Sequence, residues 1–388
     1  MTRLMTIVAL AWVALGAEAQ ARECGSDAMV RAGTALAALR ALPATDDGDT
    51  EVTPDAQAQI KALKQGWIEA ADARLACSGT KLDPAALKAD LRPVPDQRYG
   101  AGGPNAEVNV EQPADHPELV MVTLNFGLGC GNDTILLAYA LSPAGGWQRV
   151  INWHSGDYAE INGAFGDFFI WAIVPAGGSP DWRLVVAHGH PWCTSRWSGF
   201  DLDLLKPGSE SGLSRSLFHL ADGYVRGDIE PKLTARRDGF DLRLQVSTGE
   251  IERMTRLGIF RYRLTSDSAE RVQPIAMNGR DFVNAWLQLP WSDAAGFSAA
   301  ANLPALKERH DAVAAHLKSQ TGDSGADFAF GPVRACRDDP HHFQVQNGGG
   351  DAPATYYQIQ SGDNSFTMLA AAAKPNPQCR GADLMGGK

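Results

Sequence analysis

The 388-residue chain is 44% hydrophobic and 21% charged, with a formal net charge of −10 at pH 7. That composition excludes a disordered chain and leaves room for one large core or two to three smaller ones. The acidic balance, without any basic cluster, argues against nucleic acid and anionic membrane surfaces as partners, because both reward Lys and Arg.

Residues 1–21 read as a signal peptide: Arg3 supplies a positive start, residues 4–15 an apolar run, and Ala17-Glu18-Ala19 or Ala19-Gln20-Ala21 a small-x-small cleavage site. The mature chain is therefore expected in the periplasm or outside the cell. The run is short for a bilayer and no later apolar stretch approaches about 18–20 residues, so no membrane span is expected. Arg22 and Glu23 precede Cys24 where a lipoprotein signal needs small apolar residues, which disfavours lipid attachment. All six cysteines follow the signal. An even count in an exported chain favours disulfides, and the wide spacing predicts a sequential set: Cys24 with Cys77, Cys130 with Cys193, Cys336 with Cys379.

Residues 22–91 form a predicted helical region. Met29, Leu36 and Leu39 have helical spacing over 24–42, an acidic linker follows, and Ile60, Leu63, Trp67, Ile68 and Leu75 make one stripe over 56–77. A short third helix is expected at 84–91. The Pro/Gly-rich stretch 92–105 is a linker.

Residues 106–277 carry a four-stranded meander three times. Its clearest copy has strands at 168–175, 182–190, 200–204 and 215–220, with turn residues at the corners. The flanking copies lie at 106–112, 119–126, 135–141 and 147–153, and at 230–236, 240–247, 258–265 and 271–276. The third strands align as LAYAL (137–141), FDLDL (200–204) and FRYRL (260–264), a period of about 60 residues. Cys130 and Cys193 fall in the same loop of consecutive copies. Residues 278–320 read as a two-helix insertion, with Phe282, Ala285, Trp286 and Leu289 on one stripe and Leu306, His310, Val313 and Leu317 on another. Residues 321–388 hold four more short strands, a possible fourth copy. The predicted fold is mainly β with a helical N-terminal region, its repeated four-stranded antiparallel sheets packed in a propeller-like way. The alternative is a β-sandwich with a separate C-terminal β domain.

No catalytic motif stands out. The glycines of 127–131 precede a strand instead of the helix that a nucleotide fingerprint needs. Neither G-x-S-x-G nor H-E-x-x-H occurs, and nothing calls for a cofactor. His188 and His190, at i and i+2 on a strand, are weak metal candidates; their ordinary reading is as loop histidines bonded to backbone. Asp201 and Asp203 share one strand face and read as a solvent face.

Strand direction places the loop between the second and third strands and the loop to the next copy on the same sheet edge. Those loops carry Asp133; then His154, Asp157, Tyr158 and Glu160; then His190, Trp192, Arg196 and Trp197; then Glu250 and Arg253. The candidate binding face is accordingly Asp157, His190, Trp192 and Trp197, with His154 and Arg196 beside them. The competing reading of Trp192 and Trp197 is that they cover the Cys130–Cys193 bridge. The functional expectation is an exported cell-envelope binding or scaffold protein for a glycan, a peptide or another envelope protein. The alternative is a hydrolase or metal-dependent enzyme using His154, His188, His190 and nearby carboxylates.

Overall fold

Four antiparallel meanders account for the sixteen strands of the described residues, each meander keeping chain order across its sheet. The computed structural model describes residues 24–41, 53–92, 106–128, 131–155, 168–176, 181–190, 195–208, 214–250, 253–319, 329–348 and 354–385. The first sheet is β1 (Ala106–Glu111), β2 (Leu119–Leu128), β3 (Gly131–Leu141) and β4 (Trp147–His154). The second is β5 (Phe169–Pro175), β6 (Trp182–His190), β7 (Trp197–Lys206) and β8 (Arg215–Val225). The third is β9 (Lys232–Arg236), β10 (Gly239–Ser247), β11 (Thr255–Leu264) and β12 (Ala269–Arg271), and the fourth β13 (Phe330–Ala335), β14 (His342–Asn347), β15 (Thr355–Gly362) and β16 (Ser365–Ala372). The protein is thus mainly β, built from a propeller-type meander repeated four times. The signal peptide and the Cys130–Cys193 pairing lie outside the described residues.

Two compact units are present. The first takes the described residues of Met1–Phe169, Trp182–Ser195 and Gly199–Ala221; the second takes those of Ile170–Asp181, Arg196–Ser198 and Asp222–Lys388.

In the first unit, helices α1 (Ser26–Ala41), α2 (Pro54–Cys77) and α3 (Pro84–Asp90) cover one face of the first sheet. Thr53 and Asp83 cap the second and third, their side chains accepting from the N–H groups of Ala56 and of Ala85 and Ala86, with a proline opening each helix. Helices α1 and α2 approach closely at Gly66, where a Cβ would meet the Ala32 nitrogen at 2.9 Å. The Cys24–Cys77 disulfide joins the start of one helix to the end of the other. Trp67 fills the space beneath, donating its indole N–H to the Leu91 carbonyl at 3.0 Å. Strand alternation sends Val120, Val122, Leu124, Phe126, Ile135, Leu137 and Tyr139 to the helices. Leu119, Met121, Leu136, Ala138 and Ile151 are buried as well, so both faces of this sheet are covered. That is why 135–139 reads as an unbroken apolar run and not as an alternation.

The second unit has its own core. Helix α4 (Gly279–Gln288) lays Phe282 and Trp286 on Val333, Val345, Tyr357, Ile359 and Met368 of the fourth sheet. Helix α5 (Leu303–Ser319) adds Leu306 and brings His310 against Trp286, where the imidazole Nε2 donates to the Leu289 carbonyl at 2.9 Å. The pattern placed the fourth strand of the third sheet at 271–276, whereas β12 ends at Arg271. Pro274 cannot donate to a ladder, and Ile275 and Ala276 join the helical core instead. The Cys336–Cys379 disulfide closes the fourth sheet. From there the chain runs beside the edge strand β13: Val333 N–H donates to Asp383 at 3.0 Å, Leu384 N–H to the Val333 carbonyl at 2.9 Å, and Arg334 to the Gly381 carbonyl at 2.6 Å.

Candidate functional site

The histidines singled out from the sequence belong to a polar network in the first unit. His188 and His190 alternate to the same side of β6, and the antiparallel register sets Asp201 of β7 opposite His188. His190 Nε2 meets Asp201 Oδ2 at 2.8 Å, and the two imidazoles contact edge to face at 4.9 Å. Asp203, two residues along β7, accepts from the Trp153 indole at 2.9 Å and pairs with His219 Nδ1 of β8 at 2.8 Å. His188 is 1% exposed, walled by Trp153 and Phe169, with its Nε2 3.4 Å from Ser155 Oγ. Ser155 is itself fixed by Thr134, whose N–H donates to the hydroxyl at 3.0 Å. Beyond it, Lys64 of α2 pairs with Asp133 of β3 at 2.8 Å and points at the Ser155 carbonyl at 3.5 Å.

Burial sets the charges here. It raises the Asp133 carboxyl to about 7 against the opposing Lys64 ammonium, and lowers His188 to about 3, with the His190 charge acting the same way. For Asp201, burial acts upward, but the hydrogen bond and charge of His190 outweigh it and hold the carboxyl below its ordinary value. The hydrogen bond to Asp203 raises His219. His188 is therefore a neutral, enclosed imidazole at physiological pH, and Ser155 is a buried hydroxyl with backbone partners. Together they brace the ends of β3, β4, β6 and β7. Among the described residues, the His/Cys/Asp/Glu cluster tight enough to hold a metal is Cys336, His342 and Cys379, and its two sulfurs are joined to each other.

A second constellation lies wholly in the second unit. A cleft of about 280 Å³ is lined by Trp197, Asp222, Tyr224, Arg256, Phe260 and Arg271, with polar groups from Ser198, Ser247 and Gln288. Trp197 is 40% exposed. Arg256 of β11 is 7% exposed; its Nε donates to Asn284 at 2.7 Å and its Nη1 to the Leu257 carbonyl at 3.3 Å. Burial pushes this guanidinium down to about 10, with the Asp281 charge opposing. Arg271 lies over the Phe260 ring at 4.4 Å and donates to the Tyr262 hydroxyl at 3.0 Å and the Ile259 carbonyl at 2.7 Å. Asp222 keeps an exposed surface, while the protein packed around its carboxyl raises it, against the Gly223 N–H at 2.7 Å and the charges of both arginines.

The predicted residues divide accordingly. Asp133, His188 and His190 meet in the first unit's network, and His154, exposed at the end of β4, turns its Nδ1 to the Ser155 carbonyl at 2.8 Å. Trp197 lines the cleft of the second unit, and Arg196 is exposed next to it in the chain. Asp157 and Trp192 lie outside the described residues, as do Tyr158 and Glu160. Glu250 and Arg253 are tied to α4 instead of standing open: Glu250 pairs with Arg280, and Arg253 takes Asp281 in a two-pronged contact at 2.8 and 3.3 Å. Asp201 and Asp203, read as a solvent face, are partly covered and bonded to imidazole and indole, so that reading is corrected. Lys64, Ser155, His219, Arg256 and Arg271 had no motif to mark them. Compared with protein-family models, with curated proteins and with solved structures, the chain matches none.

Proposed function

We propose that this is an exported binding protein of the cell envelope whose ligand is held in the Trp197 cleft. The observation that carries the reading is the exposed Trp197 indole beside a cleft that also holds Arg256, Arg271, Tyr224 and Phe260. A concave wall of aromatic and aliphatic side chains with a few convergent polar groups is the usual form of a small-molecule site. Export is supported by the reading of residues 1–21 and by two disulfides, which belong to oxidising compartments.

The test is a binding screen against soluble envelope glycans and peptides, comparing the wild-type chain with Trp197→Ala. Loss of an exposed aromatic anchor is expected to weaken the ligand by about tenfold or more, while the thermal midpoint stays within about 2 °C. If Trp197→Ala leaves the affinity of every retained ligand unchanged, the cleft is not the site.

A further inference from the structure

Two guanidiniums and one carboxyl line the cleft, in a protein whose formal net charge is −10. Among the described residues, no carboxylate oxygen lies within 4 Å of either Arg256 or Arg271. Arg256 is nonetheless almost fully buried, bonded only to neutral oxygens of Asn284 and Leu257. Asp281 and Asp222 act on Arg256 through space without touching it, so part of its desolvation cost is left for an incoming anion to offset. The guanidinium N–H groups left over from these contacts suit a carboxylate or a phosphate oxygen. Asp222 in the same lining opposes a dianionic phosphate but leaves a net positive charge for a monoanion.

The rest of the lining narrows the ligand further. Trp197 offers a flat apolar face, while Ser198, Ser247 and Gln288 offer hydroxyl and amide groups. A molecule answering all three features has a carboxylate, a ring with an apolar face and several hydroxyls. At about 280 Å³ the cleft lies just below the roughly 300–1,000 Å³ of drug-sized sites, which suits one ring better than an extended chain. We infer that the cleft binds an acidic saccharide of the hexuronic acid type, its carboxylate facing Arg256 and Arg271 and its ring on Trp197. This inference rests on the binding function proposed above.

The experiment is calorimetry and saturation-transfer NMR on the oxidised mature chain with glucuronate, galacturonate, glucuronamide, glucose, an acetylated peptide bearing a free C-terminal carboxylate, and inorganic phosphate. At least one uronate is expected to bind, with the uncharged amide at least about tenfold weaker, as for loss of a charge-assisted contact. Arg271→Gln should reproduce that loss, and Arg271→Lys should recover part of it. The comparison of uronate with amide uses the wild-type chain and so stands even if an arginine variant fails to fold. Equal binding of uronate and amide, both lost in Trp197→Ala, would overturn the carboxylate assignment and keep the binding cleft. Binding of the peptide or phosphate in place of the uronates would overturn the saccharide class. Binding of none of these probes would overturn the acidic-saccharide assignment; an envelope ligand that still depended on Trp197 would then keep the binding reading, and loss of that dependence would end both.

Discussion

Replacing Lys64 by methionine should expose how the first unit tolerates charge in its interior. The Lys64 side chain is 12% exposed and its partner Asp133 wholly buried, at 2.8 Å. Breaking such a pair costs about 3–5 kcal/mol, whether the carboxylate is left charged without the ammonium or takes up a proton to avoid it. The pH dependence follows from Asp133, whose carboxyl is held at about 7 in place of 3.8 by burial, with Lys64 opposing. A raised carboxyl favours the folded state fully below about pH 4, and that contribution is lost as pH rises through about 7, amounting to about 4 kcal/mol at most. In Lys64→Met the carboxyl rises further and stays protonated. The variant should therefore lose about 3–5 kcal/mol at pH 8.5 and only about 1–2 kcal/mol at pH 5.5, where the wild-type pair is already largely neutralised on the acid side. The double variant Lys64→Met with Asp133→Leu should recover most of the loss, since apolar residues of similar volume replace buried ion pairs at little cost. Denaturant unfolding of the oxidised protein, followed by tryptophan fluorescence at both pH values, measures all of this. An equal loss at both pH values, or a double variant no more stable than Lys64→Met, would refute the reasoning.

Two further outcomes are expected. His188 is held neutral, at about 3 instead of 6.5, chiefly by burial; its contribution is complete above about pH 6.5 and lost as pH falls toward 3. His188→Phe should therefore gain about 3 kcal/mol on wild type between pH 7 and pH 4 in equilibrium unfolding, and parallel stability curves would contradict this. Replacing Cys336 and Cys379 together by serine opens a loop of sequence separation 43 and should cost about 3–4 kcal/mol by the chain-entropy relation; a change below about 1 kcal/mol in denaturant titration would argue against it.

The repeat was legible because each meander is local: its strands follow one another in the chain, and the corners carry Gly, Pro, Asp and Ser. Strands such as 182–190 and the helices at 54–77 and 84–90 fall within a few residues of their predicted bounds, since apolar periodicity and proline openings mark both. The cleft and the polar network were much less legible. Lys64 and Asp133 are 69 positions apart in the chain, as are Ser155 and His188 by 33, and no spacing rule links a helix residue to a strand that it later covers. Asp201 and Asp203 alternate as exposed residues do; only the neighbouring strands, bringing His190, His219 and Trp153, turn that face into a bonded one. Trp197 carried a usable signal, an aromatic beside Arg196 in a loop, whereas Arg256 and Arg271 sit in strands whose charges look like ordinary outward-facing positions.

The chain segment that follows the Cys336–Cys379 disulfide has a consequence for self-association. As the outer strand of its sheet, β13 would present unpaired N–H and C=O groups, a template on which a second molecule could add a strand. Gly381, Asp383 and Leu384 occupy that template through side-chain and backbone contacts to Val333 and Arg334. Removing residues from 381 onward would uncover the rim while leaving the core of the sheet untouched. The shortened protein would keep its secondary structure yet gain a sticky margin, so that its failing would be concentration-dependent oligomers rather than unfolding.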